Sequence, residues 1–283
     1  MKLTPILLAL LVGTALGGLD VAEAVEIDPP RLEVIGKPGQ PVTATLTLVN
    51  HQAQPILVHT HTNPYRYLFT AHTIPPTDVA AQPLPSCQSW ITINHEELPL
   101  AAKTSGTLVL TITIPKTAAE SPAGEYVASV LVDEQVERRA AAAPAGASTL
   151  TILPRIAIPV YVMLEGRNAP NGRIAAFTAS GGRPGTPPTV VRLLLTLAND
   201  GRTHLRPTGT FLVTNAQQEV VYRGGVGRTG PIFPRFQEGI PVLIPLAAGR
   251  YRAVATVDLG GPTPAQRELA FTVTDHGQVE MAS

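Results

Sequence analysis

Apolar and polar residues alternate with a period of two along most of this chain. Val42, Ala44, Leu46 and Leu48 fall on one strand face, and Thr43, Thr45 and Thr47 fall on the other. Leu108, Leu110, Ile112 and Ile114 alternate with Val109, Thr111 and Thr113, and Tyr126, Ala128, Val130 and Val132 follow the same rule. Such runs predict strands that pack through one face. Turn-forming clusters at 36–39, 51–55 and 121–124 separate them. A second block of strands begins near Arg173. It predicts strands over 190–197, 249–257 and 268–274, a hairpin of 210–213 with 219–222, and a short run 242–244 between Pro241 and Pro245. No segment after the first 24 residues carries a 3.6-residue period. The pattern predicts an all-β protein of two immunoglobulin-like β-sandwich domains in tandem, over 25–166 and 167–274, with a disordered tail at 275–283.

The two blocks read as a distant repeat. Leu46-Thr47-Leu48-Val49-Asn50 precedes a polar turn and Pro55; Leu195-Thr196-Leu197-Ala198-Asn199 precedes a polar turn and Pro207. Late in each block a Gly-x-Tyr heads a strand, with Tyr126 in the first and Tyr251 in the second. A tyrosine at that corner of a sandwich returns its hydroxyl to nearby backbone. Trp90, ahead of Ile91-Thr92-Ile93, reads as a core aromatic at a strand entry.

The opening 24 residues change the picture from fold to location. Lys2 is followed by an unbroken apolar run from Ile6 to Val12, and Ala22-Glu23-Ala24 sets small residues where a signal peptidase needs them. This predicts a signal peptide cleaved before Val25 and a periplasmic or secreted protein that meets the membrane only through export. Cys87 is the single cysteine, so no disulfide forms within the chain, and it reads as a buried small apolar residue.

Charge narrows the function classes. The chain carries 21 basic and 21 acidic residues. It has no basic stripe of the kind nucleic acid requires. Catalytic signatures are equally scarce. Cys87 has no histidine nearby in sequence, Glu96-Glu97 reads as a loop pair, and the glycines at 224–227 follow a strand and open no helix, as a phosphate cradle requires. His59 and His61 share a strand face without an evident third ligand. The expectation is a non-enzyme with no cofactor, no metal site and no small-molecule substrate.

Residues 150–164 carry the functional argument. The even positions include Leu150, Ile152, Ile156, Ile158, Val160 and Val162, and Pro154 and Pro159 interrupt the donors of any ladder. A long apolar ribbon containing prolines predicts an edge strand. Such an edge must be covered or must pair with something, and recruiting a partner's strand is one use of it. A low-complexity stretch, 133–148, precedes it and reads as a mobile loop. In this combination the chain resembles the periplasmic chaperones of pilus (fimbrial) assembly. The resemblance implies two immunoglobulin-like domains, with the last strand of the first lent to a pilus subunit. It also implies an arginine in the first strand that holds the subunit's terminal carboxylate. Arg31 stands in that place, and Arg155 is the nearest basic residue to the lysine that such chaperones carry on the last strand. The implied partner is a β-rich envelope or pilus subunit, bound through Leu150, Ile152, Arg155, Ile156, Ile158 and Arg31. The rival expectation is a structural or cell-surface scaffold or adhesion module with the same fold and a covered edge.

Overall fold

The computed structural model describes residues 25–66, 71–74, 84–136, 154–167, 170–181, 189–226 and 230–281. The predicted signal peptide, most of the 133–148 stretch, and Leu150 and Ile152 lie outside the described residues. In chain order the first part of the protein forms β1 (Glu26–Asp28), β2 (Leu32–Gly36), β3 (Pro41–Val49), β4 (Ile56–Pro64), β5 (Thr73–Ile74), β6 (Ile91–Ile93), β7 (Glu97–Leu100), β8 (Ser105–Thr113), β9 (Glu125–Val136) and β10 (Arg155–Leu164).

All of these but β5 build one sandwich. Its sheets run β1-β3-β8-β6 and β2-β10-β9-β4-β7. As the last strand of the sandwich, paired with β9, β10 stands in the place of the G strand of an immunoglobulin domain. The alternation read from the sequence sets the packing. Leu46, Leu48, Leu108, Leu110 and Ile112 are fully buried, and Val130, Val132, Val160 and Val162 meet them from the other sheet. The ribbon's polar-facing partners Thr45 and Thr47 stay exposed.

The second part forms β11 (Gly172–Gly181), β12 (Thr189–Asn199), β13 (Thr208–Asn215), β14 (Val220–Gly225), β15 (Gln237–Leu246), β16 (Gly249–Asp258), β17 (Ala265–Val273) and β18 (Val279–Met281). Its sheets run β11-β12-β15-β5 and β14-β13-β16-β17-β18. The protein is therefore all-β, with two immunoglobulin-like sandwiches in tandem. β15 is longer than the 242–244 run the sequence suggested, because its prolines do not end it. β12 pairs along its whole length, but β5 reaches only Gln237 and Glu238 on the other side. Pro241 and Pro245 thus stand where, among the described residues, that second side has no strand, and a missing N–H costs a ladder nothing there.

Two expectations need correction. Residues 133–136 are strand, paired with β4 and β10, so the loop cannot start at 133. The tail is not wholly frayed, because Val279, Glu280 and Met281 pair with β17. Between β4 and β6, Thr73 and Ile74 leave the first sandwich to extend a sheet of the second.

The repeat has a physical basis. Asn50, fully buried, donates its side-chain amide to the carbonyls of Gln54 (2.9 Å) and Ala101 (3.0 Å) and accepts from the Gln52 N–H (2.9 Å). Asn199, 1% exposed, donates to the carbonyls of Thr203 (2.8 Å) and Ile232 (2.7 Å) and accepts from the Gly201 N–H (2.8 Å). Each side chain ties the turn that leaves the second strand of its sandwich to a neighbouring segment, at Ala101 in the first and at Ile232 in the second. The tyrosines diverge. Tyr251 donates its hydroxyl to the Ala247 carbonyl at 3.0 Å. Tyr126 instead packs its ring on Trp90, with centroids 4.3 Å apart, and no such return bond is found for it among the described residues.

Candidate partner-binding edge

The first strand of the first sandwich is split between two sheets, and this split makes the site. β1 pairs with β3 through Asp28. Pro29 and Pro30 follow, neither able to donate, and the chain crosses to the opposite sheet. There it runs parallel to β10, with Leu32 opposite Val160 and Gly36 opposite Leu164. β2 therefore seals only the C-terminal half of β10. Over Arg155 to Pro159, β10 has β9 on one side and, among the described residues, no strand on the other.

The two faces of this half-edge differ. Ile158 is 1% exposed and lies in the first sandwich's own core, which corrects its assignment as a partner contact; Ile156 is half-buried at the margin of that core. Arg155 and Ala157 face outward and are exposed. Further along the same face, Tyr161 is 1% exposed because the second sandwich covers it. Its ring lies 4.5 Å from that of His204 and 6.2 Å from that of Phe233, and the Arg206 guanidinium stacks over it at 5.1 Å. Tyr161 thus belongs to one sandwich by its backbone and to the other sandwich's core by its side chain.

Polar contacts fix the same junction. Glu125, 5% exposed, accepts at Oε2 from the His204 N–H at 2.7 Å, and the His204 Nδ1 lies 2.7 Å from the same oxygen. Glu33 on β2 accepts from Arg206 Nε at 2.8 Å. Burial alone would raise the Glu33 carboxyl. The hydrogen bond from Arg31, followed by the charge and hydrogen bond of Arg206, outweighs burial and holds it below its usual value. Near β5, the Thr73 hydroxyl donates to Glu238 Oε2 at 2.6 Å, and the Gly239 N–H donates to the His72 carbonyl at 3.0 Å.

The predicted arginine pair is not a vacant carboxylate anchor. Arg155 donates through Nε (2.5 Å) and Nη2 (2.8 Å) to the two oxygens of Asp133, a bidentate fork. That hydrogen bond is the main reason the Asp133 carboxyl titrates below its usual value. Arg31 donates through Nε to Glu33 at 2.8 Å, sharing an oxygen with Arg206. Each sequence-predicted arginine already has a carboxylate of its own chain.

Beside the open half of β10 lies a cleft of about 470 Å³ between the sandwiches. Ala157 and Pro159 of β10, Leu131 of β9 and Glu238 of β15 line it, and Arg66, just past β4, stands at its wall. Arg66 is exposed, and no carboxylate pairs with it among the described residues. Sequence reasoning missed it, because Asn63-Pro64-Tyr65-Arg66 carries no motif. Only the fold brings it to β10.

The protein is similar in structure to solved pilus chaperones. The SafB chaperone of Salmonella enterica, solved in complex with the SafA pilin, matches at 15% identity and a TM-score of 0.45, over 86% of this chain and 95% of that one. The Escherichia coli chaperone DraB matches at 17% identity and 0.39, over 87% and 97%, and the chaperone YadV at 14% and 0.42, over 87% and 99%. The chain resembles the periplasmic chaperones of pilus assembly. No family model matches the sequence, and no curated protein matches it.

The remaining chemistry-bearing residues are accounted for locally. His59 lies 3.1 Å from Gln135 Oε1, and His61 faces Asp133 at 3.9 Å. Among the described residues, no three histidine, cysteine or acidic side chains are grouped to hold a metal ion. No helix of the described residues is long and apolar enough to cross a membrane. Cys87 is fully buried, and burial pushes its thiol up to about 12. It is therefore expected to resist an aromatic disulfide reagent at pH 8 in the native protein and to react on denaturation. Stoichiometric reaction of the native protein within minutes would contradict that burial.

Proposed function

We propose that this protein is an exported, chaperone-like binder that captures a β-rich envelope or pilus subunit by strand pairing along Arg155 to Pro159. The observation that supports this reading most is the split of the first strand, which leaves that half of β10 without a lateral partner among the described residues while β2 covers the rest. An unpaired ladder next to a half-buried Ile156 offers backbone hydrogen bonds and an apolar seam to an incoming strand. Arg66 in the lining of the adjoining cleft, with Arg31 and Arg155 each held by a carboxylate of the chain, supports a reading in which a terminal carboxylate of the partner binds Arg66.

The test is affinity capture from an envelope extract with wild type, Ile156→Asp and Arg66→Glu, each checked by circular dichroism. Wild type is expected to retain a β-rich partner. Ile156→Asp is expected to lose it, and Arg66→Glu to retain at most about a tenth, as fits the loss of one charge-assisted anchor of about 1.5–3 kcal/mol. Equal capture by wild type and a folded Ile156→Asp overturns the reading and favours a scaffold whose edge takes no partner.

A further inference from the structure

We propose that export processing itself completes the first sandwich: cleavage of the Ala24–Val25 bond creates an α-ammonium on Val25 that pairs with buried Glu134. The inference rests on the reading of 1–24 as a signal peptide, not on the partner-capture reading.

The observation is a carboxylate in an unusual place. Glu134 lies on β9 with Val130 and Val132, facing the first core, and is 1% exposed. The Val25 nitrogen, in a residue 4% exposed, donates to Glu134 Oε2 at 3.0 Å, and the Gln52 side-chain amide donates to Oε1. Among the described residues no lysine, arginine or histidine forms an ion pair with Glu134. A buried ionised carboxylate held only by neutral donors is costly, and a positive charge within hydrogen-bond distance offsets that cost.

Hydrolysis supplies that charge at the contacting atom. Water adds across the Ala24–Val25 peptide bond under a signal peptidase. The C–N bond breaks, Ala24 leaves with a new carboxylate, and Val25 keeps the nitrogen as an amine that is protonated at neutral pH. The donor 3.0 Å from Glu134 changes from a neutral amide to an ammonium without moving. The other charged groups nearby are engaged elsewhere. Glu26 pairs with His51 at 2.5 Å, Lys103 donates to the His51 carbonyl, and on the opposite face of β9, Asp133 is held by Arg155. The consequence is mechanical as well as electrostatic. Val25 directly precedes β1, so the ion pair fixes the start of the strand whose crossing to β2 leaves Arg155 to Pro159 of β10 without a second neighbour among the described residues.

The pairing has a definite sign with pH. An ammonium against a buried carboxylate holds its proton to higher pH than the unfolded α-amine, whose pKa is about 7.7–8.0. Its stabilisation is complete below that unfolded value and is lost as pH rises through the higher folded value.

The experiment expresses the full chain with its own leader, measures the mass of the exported protein, and follows Tm from pH 7 to 10. Three proteins are compared: wild type, Glu134→Gln, and wild type with one alanine inserted between Ala24 and Val25, which moves the new amine one residue along the chain. The mass is expected to place the amino terminus at Val25. Wild-type Tm is expected to fall by about 5 °C more than that of either variant across this range. The inserted alanine leaves Glu134 intact, so it remains informative if Glu134→Gln does not fold. A mass that places the terminus elsewhere overturns the processing step. A terminus at Val25 with the same pH profile in wild type and the inserted variant overturns the pairing alone.

Discussion

Tyr161→Ala is expected to lower stability by about 3–5 kcal/mol, the range for deleting a large buried aromatic, and to loosen the two sandwiches from each other. The second effect distinguishes this position from an ordinary core residue. β10 supplies the backbone, but the ring sits among Phe233, His204 and Tyr65 of the junction, and Arg206 is stacked over it. Removing the ring leaves a cavity, exposes the Glu125–His204 contact to water and deprives Arg206 of its aromatic partner. A chemical-denaturation curve by fluorescence and circular dichroism checks the first effect. Small-angle scattering of the folded variant checks the second and is expected to show a broader distribution of shapes than wild type. A single sharp unfolding transition at the wild-type midpoint would show that Tyr161 does not couple the domains.

Asn199→Ala is expected to destabilise the second sandwich by about 3 kcal/mol. The Thr203 carbonyl and the Gly201 N–H lose their side-chain partner, and the Ile232 carbonyl loses one of two donors while keeping the Leu205 N–H at 2.9 Å, all around a side chain that is 1% exposed. Each unsatisfied buried group costs about 1–3 kcal/mol, reduced where water enters the turn. Asn199→Asp keeps the acceptor toward Gly201 but loses both donations, so it is expected to fall between wild type and alanine. Urea midpoints of the three proteins test the order, and a wild-type midpoint for the alanine variant would sink the assignment.

These two residues mark what the sequence made legible. Asn199 stood out because the same Leu-Thr-Leu-x-Asn run occurs at Asn50, and both asparagines tie off the turn after the second strand of a sandwich. Period-two alternation likewise located β3 and β8, because each buries one face only, and it located β9 through its even face, although Val127, Ser129 and Leu131 on the odd face are buried as well. Tyr161 was not legible. It lies on the odd face of a strand whose even face carries the apolar signal, and its burial comes from a second domain that local pattern does not encode. The same holds for β5: two residues, Thr73 and Ile74, are too short to alternate and acquire meaning only beside Gln237 and Glu238.

The candidate site was legible only in outline. The prolines and alternation of 150–164 pointed to an edge, yet the edge is open for half the described strand because β2 covers the remainder. Ile158 was misplaced because sequence does not say how far along a strand face the core reaches: Ile158 lies inside the core, whereas Ile156, two residues nearer the margin, is only half-buried. The arginines were misassigned because pairing across strands is invisible in a linear reading. Asp133 lies opposite Arg155 in the β9–β10 register, and Glu33 on β2 is two residues past Arg31, which precedes that strand.

Amide hydrogen exchange along β10 of the isolated protein tests the open margin most directly. The amides of Arg155, Ile156, Ala157 and Ile158 that point away from β9 are expected to exchange at least about 100-fold faster than those of Val160 to Leu164, where strands lie on both sides. Uniform slow exchange over the whole strand would contradict the account, since it would mean that the margin proposed for a partner is already paired.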